Sequence, residues 1–406
     1  MSHPIQTGSF QWMKSINKSA ILNIIRLQGP ISRSEIAKVT RLTSPTVTNI
    51  VAELLQSGLV VESDRGESTG GRKPILLKIN GSAFGVIGVY AGAKKVRALA
   101  ADLEGRAGEE VVLPVPPRPT KEQFVSIVQK AVHQVKEQIQ KKGHPLLGIG
   151  VGMHGLVDPE QGISIYAPNL YLRDIPIASL LEEVFKVPVE VENDVRALAI
   201  GESWFGQGQG IDDFISVHVG TGVGAGIIAE GRLVHGPSFT AGEVGHTTID
   251  ARGPLCNCGN HGCLEAFVAA PAMVRRAREQ LQTGVSSSLS DKLQDTADSL
   301  TGEAIFQAAR AGDTFAAEIL AETGRYLGIG LSNLVNLFNP RKIILSGGVI
   351  AAGPLVLDPL KQTIRERALS IPAGDVSIVP STLGRSGRAI GAYTLVLQKL
   401  FQPQMS

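Results

Sequence analysis

Apolar residues recur at helical spacing through Ile16, Ala20, Ile21, Ile24 and Ile25, and Gly29-Pro30 ends that helix. Ser32 and Glu35 form an S-x-x-E capping box, which starts a short second helix running to about Thr40. Ser44-Pro45 reads as N-cap and first helical residue of a third helix. Its apolar face is Val47, Ile50, Val51, Leu54 and Leu55, and Gly58 closes it. Strands at 59–62 and 75–79 then flank a polar loop over 63–74. Three short helices and a basic hairpin describe a winged helix-turn-helix over residues 1–80.

From Phe84 the pattern changes to short apolar runs parted by glycines: strands at 84–90, 96–102 and 109–115, a helix at 121–142, and a buried strand at 146–152. The pattern returns at 214–219, a Gly-rich turn, and 225–229. There Glu230-Gly231-Arg232 echoes Leu103-Glu104-Gly105-Arg106, which predicts a duplicated α/β unit. Further helices at 194–205, 264–282 and 322–337, and strands at 342–346 and 376–380, continue that architecture. The polar stretch 286–299 reads as a loop or short helix without evident chemistry. The expected lobes are 81–200 and 201–406, with the last helix free to return to the first lobe. Two lobes would leave a cleft, a favoured small-molecule site.

Composition sharpens this reading. With 406 residues, 43% hydrophobic and 19% charged, the chain buries real cores and is not mainly disordered. The net charge of +2 conceals an asymmetry, because residues 1–80 carry +5 and the rest −3. A basic N-terminal segment fits nucleic acid or another anionic partner, or a plain solvated surface. No secretory signal is visible and no apolar run is suited to a membrane span, so a cytoplasmic protein without membrane insertion is expected. On the third helix, Ser44, Thr46, Thr48 and Asn49 are small polar groups suited to phosphates and base edges. Arg72 and Lys73, after Gly70-Gly71, place two cations on the hairpin for a minor groove or phosphates.

All three cysteines lie in Cys256-Asn257-Cys258-Gly259-Asn260-His261-Gly262-Cys263. Clustered thiols in a chain expected to be cytosolic point to metal or redox chemistry rather than a disulfide framework, and three thiolates supply three corners of a tetrahedral zinc site. His246 is the first candidate for the fourth corner and His261 the second. Four protein ligands would make the site closed and structural. Glu243 and Glu265 flank this loop, and a converging carboxylate pair suits a polyol or sugar; Asn193 and Asp194 could add an amide and another acid.

The run Val219-Gly220-Thr221-Gly222-Val223-Gly224-Ala225-Gly226, then Gly242-Glu243-Val244-Gly245-His246 and the cysteine motif, resembles the ROK family of repressors, open reading frames and sugar kinases. With a winged helix in front, the whole chain looks like the family's sugar-responsive repressors, of the xylose and N-acetylglucosamine repressor type. The resemblance implies a two-lobed, actin-like α/β body. It implies a structural zinc on His246, Cys256, Cys258 and Cys263, and sugar contacts at Asn193, Asp194, Glu243, His246 and Glu265. Family kinases open their first lobe with a D-x-G-G-T-type loop and use the residue matching Asp194 as base. This chain has Tyr90-Ala91-Gly92-Ala93-Lys94 there, which removes a magnesium-nucleotide anchor. Another departure is His154, where the family often has Pro before Gly155.

The expectation is therefore a repressor of carbohydrate-utilisation genes without catalytic residues. Its partners would be double-stranded operator DNA, a sugar or sugar-phosphate effector, and further copies of itself in a homodimer or homotetramer. The alternatives are an ATP-dependent sugar kinase and a repressor controlled by a transport-system protein.

Overall fold

The computed structural model describes residues 10–65, 74–292 and 299–402. Its N-terminal part is built from α1 (Phe10–Gln28), β1 (Ile31–Ser32), α2 (Arg33–Thr40), α3 (Ser44–Gln56), β2 (Val60–Arg65) and β3 (Ile75–Ile79). The strands form an antiparallel sheet in the order β1-β3-β2. Ile21, Ile25, Ile36, Val47, Val51, Leu54 and Leu77 fill its core. The capping box is present, because Ser32 Oγ accepts the Glu35 amide at 3.3 Å and Glu35 Oε2 accepts the Ser32 amide at 2.9 Å. The start of α3 differs by one residue from the sequence expectation. Thr43 is its N-cap, accepting from the Thr46 amide, while Ser44 and Pro45 open the first turn. Either hydroxyl could cap in sequence terms, and proline's missing N–H is tolerated anywhere in that turn.

The body contains two five-stranded sheets with the same topology. In the first, β4 (Gly85–Ala91), β5 (Lys95–Ala101) and β6 (Ala107–Pro114) form an antiparallel meander. After α4 (Lys121–Lys141), β7 (Leu146–Met153) pairs parallel with β4, and β11 (Val189–Asn193) pairs parallel with β7. The order is β11-β7-β4-β5-β6. The second sheet repeats it as β14-β13-β12-β15-β16, from β12 (Phe214–Val219), β13 (Val223–Ala229), β14 (Arg232–Leu233), β15 (Lys342–Ser346) and β16 (Ser377–Pro380). Gly105 and Gly231 sit in the matching turns with φ of +77° and +72°, a backbone region that favours glycine. The internal echo in the sequence is thus a repeated sheet.

Three short strands escaped the pattern: β8 (Leu156–Asp158), β9 (Ile163–Ala167) and β10 (Leu172–Ile175), which form an antiparallel sheet of their own ahead of α5 (Ile177–Phe185). The helix expected at 264–282 is two, α7 (Glu265–Val268) and α8 (Ala270–Gln282). Pro271 cannot donate to the Phe267 carbonyl, so the ladder breaks. Arg276 Nη1 takes that carbonyl at 2.8 Å and Arg275 Nη2 takes Ala266 O at 2.8 Å. The strand expected from Ala225 starts at Val223, which pairs with Val219 across the turn Gly220-Thr221-Gly222. The stretch 286–299 is described only in part.

The remaining helices are α6 (Asp194–Phe205), α9 (Gly302–Arg310), α10 (Thr314–Phe338), α11 (Pro354–Arg367), α12 (Ser370–Asp375) and α13 (Gly387–Phe401). The chain divides into two compact units, Met1–Asp194 with Ala392–Ser406, and Val195–Gly391. The first unit's body buries Ile87, Val89, Val128, Ile149 and Val151; the second buries Val217, Leu327, Leu331, Ile343 and Leu345.

Asp313 caps α10, accepting the Ala316 amide at 2.9 Å and the hydroxyls of Ser287 and Ser288 at 2.7 Å each. Its partial burial opposes ionisation, but those donors and the Ser288 amide outweigh burial and hold its carboxyl at about 2. A depressed carboxyl stabilises above its unfolded pKa and loses that contribution as pH falls through the folded value. Asp313→Ala is expected to cost about 1 kcal/mol in urea unfolding, typical of a lost N-cap. The difference from the parent should hold at neutral pH and shrink as pH falls from about 4 towards 2.

Candidate functional site

The cysteine loop folds back through short backbone hydrogen bonds. The Gly259 amide donates to Cys256 O, the Cys256 amide to Asn260 O and the Gly262 amide to Pro254 O, at 2.8–2.9 Å. Gly262 has φ +73°, and a Cβ there would lie 1.6 Å from Asp250 O, so only glycine fits. The loop returns to a short helical turn at Val244–His246 through the Leu264 amide on Thr247 O and a bridge between Thr248 and Cys263. This brings His246, Cys256, Cys258 and Cys263 together, with one ligand atom from each lying within 4.8 Å of the others. His246 Nδ1 is 3.7 Å from Cys256 Sγ, and Cys258 Sγ is 3.7 Å from Cys263 Sγ. His261 instead turns its Nδ1 to Gly253 O at 3.2 Å.

Cys256 and Cys263 are buried and Cys258 is exposed. Burial pushes the Cys263 thiol up to about 12, helped by the other two sulfurs, and also raises Cys256. The Asn260 amide pulls Cys258 down. Three soft sulfurs and one imidazole at this spacing could hold a metal ion.

The loop also orients the nearby acids. Glu265 opens α7 directly after Cys263 and Leu264, and its Oε2 accepts the Val223 amide at 2.8 Å. A Cβ at Gly222 would lie 2.8 Å from that oxygen, so the bare turn Gly220-Thr221-Gly222 is what admits the carboxylate. Glu243 leads the Val244–His246 turn, and its carbonyl accepts the His246 amide at 3.1 Å. Arg196 of α6 donates to Phe239 O in the segment leading to Glu243, an anchor that sequence reasoning missed. In the same unit, Gly347 has φ +104° and packs on Val219 O, and His218 Nδ1 lies 3.0 Å from Ser346 Oγ.

Asn193 and Asp194 belong to the first unit, and Glu243, His246 and Glu265 to the second. Asn193 ends β11 and donates from Nδ2 to Gly155 O at 2.9 Å; Asp194 is buried at the start of α6. The departure at His154 has a local partner, since its Nε2 lies 2.9 Å from Asn169 Nδ2. At the β4–β5 turn the Tyr90 ring leans over Gly92, where a Cβ would lie 2.2 Å from the phenol oxygen. An aromatic side chain thus covers the turn that resembles a phosphate loop only in its glycine.

On α3, Ser44, Thr48 and Asn49 are exposed and Thr46 is half-buried. Two of these hydroxyls serve the helix start: Thr46 Oγ1 lies 2.8 Å from Thr43 Oγ1, and Thr48 Oγ1 donates to Ser44 O at 2.8 Å. Arg41, exposed in a left-handed conformation in the α2–α3 turn, was not foreseen as a cation beside this face. Arg33 pairs with Glu62 at 3.1 Å, joining α2 to the hairpin. Arg72 and Lys73 lie outside the described residues.

A winged helix joined to a doubled α/β body with this cysteine loop defines a DNA-binding regulator class built on a sugar-kinase-type scaffold. The ROK family model matches residues 86–399 and the MarR family model residues 14–65, and the chain belongs to the ROK family. It is 32% identical to the xylose repressor of Caldicellulosiruptor bescii, over 97% of this chain and 98% of that one. It is 35% identical to the DNA-binding transcriptional dual regulator NagC of Escherichia coli K12, over 96% and 94%. Among solved structures, a ROK family transcriptional regulator, a homolog of the E. coli MLC protein, superposes with TM-score 0.87 at 28% identity, covering 97% of this chain and 98% of that one. A ROK glucokinase from Streptomyces griseus with glucose and AMPPNP gives TM-score 0.68 at 35% identity, over 77% and 98%.

Removing the Glu265 acceptor should release the Val223 amide. Glu265→Ala is expected to speed hydrogen exchange at Val223, with Glu265→Gln intermediate, while the other β12 and β13 amides keep their protection.

Proposed function

We propose that this protein is a sugar-responsive transcriptional repressor of carbohydrate-utilisation genes, acting in the cytoplasm and released from operator DNA by a sugar or sugar phosphate. The carrying observation is a winged helix on a sugar-kinase-type body whose first-lobe turn is covered by Tyr90. The xylose repressor and the transcriptional dual regulator NagC, both matched over nearly their whole length, agree with a regulator of this kind. The effector would be held by Asn193, Asp194, Glu243, His246 and Glu265, whose amide and carboxylates suit hydroxyls. DNA would be read by Ser44, Thr46, Thr48 and Asn49 in a major groove, with Arg72 and Lys73 on phosphates or the minor groove. Two winged helices reading paired half-sites would make the working form a homodimer or a pair of dimers.

The metal would be zinc. A tetrahedron with Zn–S bonds of about 2.3 Å has sulfur–sulfur edges of about 3.8 Å, close to the Cys258–Cys263 spacing. His246, Cys256, Cys258 and Cys263 would all be bound, so zinc would staple the loop that carries Glu265 and supply no reactive water. One zinc per chain is expected by elemental analysis. Cys258→Ser should lose it and weaken the sugar response; unchanged metal content would remove zinc from the mechanism.

A second reading, a sugar kinase with Asp194 as base, draws on the intact turns at Gly220–Gly226 and Ser346-Gly347-Gly348. One set of assays separates the two. A duplex selected by the protein from a random pool is titrated with and without xylose, glucose, N-acetylglucosamine and the available sugar phosphates. The active compound should weaken DNA binding by about 5- to 150-fold, the usual span of allosteric coupling. ADP release from ATP and magnesium that needs sugar and vanishes in Asp194→Asn would establish the kinase instead. Intact DNA binding without response to any sugar would favour control by a transport-system protein.

A further inference from the structure

We propose that Arg276 is a positioning residue for the effector site: its guanidinium holds α7 against α10 and so aims the Glu265 carboxylate. This rests on the sugar-binding role proposed above for Glu265. All the groups involved lie in the second unit.

Helix α7 is a single turn of four residues, Glu265–Val268, too short to be stable by its own hydrogen bonds. It is tied to the glycine turn from both ends. Glu265 Oε2 accepts the Val223 amide at 2.8 Å, and just past the helix the Ala270 amide donates to Gly220 O at 2.8 Å. A shift of α7 would therefore move the carboxylate and the turn together.

On its other side α7 leans on α10. A Cβ at Gly330 would lie 2.5 Å from Leu264 Cδ2, and the Phe267 and Tyr326 ring centroids stand 4.5 Å apart. Arg276 of α8 fixes this packing. Its Nη1 donates at 2.8 Å to Phe267 O, the carbonyl that Pro271 leaves without a helical donor. Its Nη2 donates to Ile319 O at 3.2 Å and to Thr323 Oγ1, and its Nε lies 2.8 Å from Glu322 Oε2. The side chain is only 14% exposed, so water cannot easily stand in for these partners. One planar fork thus joins α8 to α7 and to three groups of α10, a pattern that the compact ammonium of a lysine does not reproduce. Arg276 acts on the sugar only through α7.

The test uses full-length protein with Arg276→Met, Arg276→Lys and Glu265→Ala. Xylose, glucose and N-acetylglucosamine are titrated by calorimetry, and the one that binds tightest serves as probe. Both Arg276 variants are expected to weaken the probe about tenfold and to speed exchange of the Val223 and Ala270 amides about tenfold. Metal content should stay parental, and sugar-free affinity for the selected duplex should stay within about 3-fold of the parent. In the Glu265→Ala background, Arg276→Met should cost less than about 2-fold more in probe affinity, because both changes act through one carboxylate. An arginine that only stabilised the fold would cost the same in either background. Glu265→Gln takes the place of Glu265→Ala where the latter binds no sugar, and Arg276→Lys carries the comparison where Arg276→Met does not fold. Additive losses overturn the proposal, as do parental sugar binding and exchange in Arg276→Lys, which would reduce the role to an ion pair. Loss of the metal from Arg276→Lys would place the effect in the cysteine loop and also overturn it. A parent that binds none of the three sugars removes the effector reading, and exchange at Val223 and Ala270 then decides the positioning of Glu265 alone.

Discussion

Parallel strand pairing is the constraint from which the rest of the body follows. An antiparallel meander needs only tight turns, but pairing β7 beside β4 and β15 beside β12 requires long crossovers. The first crossover supplies α4, whose Phe124, Val128 and Val132 share a core with Ile87, Val89 and Ile149 of the sheet. Parallel strands also align their carboxyl ends on one edge, where ligands usually bind in open α/β sheets. Asn193 ends β11 and His154 follows β7 on that edge; the turn after β12 receives Glu265. The residue types proposed for the sugar therefore sit where backbone geometry already concentrates unpaired strand ends.

The cysteine loop addresses a different problem. Between Thr248 and Cys263 the chain forms only isolated bridges and turns, too little backbone pairing to hold a segment this long in one shape. Four side chains converge there within 4.8 Å, which on the proposed reading a metal would join into a cross-link, and α7 begins two residues after the last of them. The position of Glu265 is thus set jointly by the loop and by the bare Gly222 beneath it.

Much of this was legible in the chain because local signals were strong. Ser32 with Glu35 fixed the start of α2, the 3.6-residue spacing of Val47, Ile50, Val51 and Leu54 gave α3 its buried face, and C-x-C-x4-C marked the loop. The sheet β8-β9-β10 stayed hidden because strands of three to five residues have no room to show alternation. The break after α7 was masked by apolar spacing that runs through Pro271. Its consequence, arginines replacing the lost donors on Ala266 and Phe267, depends on side chains one turn later. The Arg26 guanidinium lies 5.6 Å from the Phe401 ring centroid, a contact between residues far apart in sequence that leaves no periodic trace. Nor does any sequence pattern reveal that Thr46 and Thr48 spend hydroxyls on their own helix.

Tyr90 over Gly92 also bears on how such a protein would keep time. A catalyst alters its ligand and must release a product, so its occupied state reflects turnover. A binding site without a phosphoryl donor returns the same molecule it received. On the proposed reading, occupancy then rises and falls with the free concentration of the sugar, without depleting the supply being measured and without spending nucleotide. A single aromatic ring in a hairpin turn would thus separate a device that consumes its substrate from a reversible gauge of it.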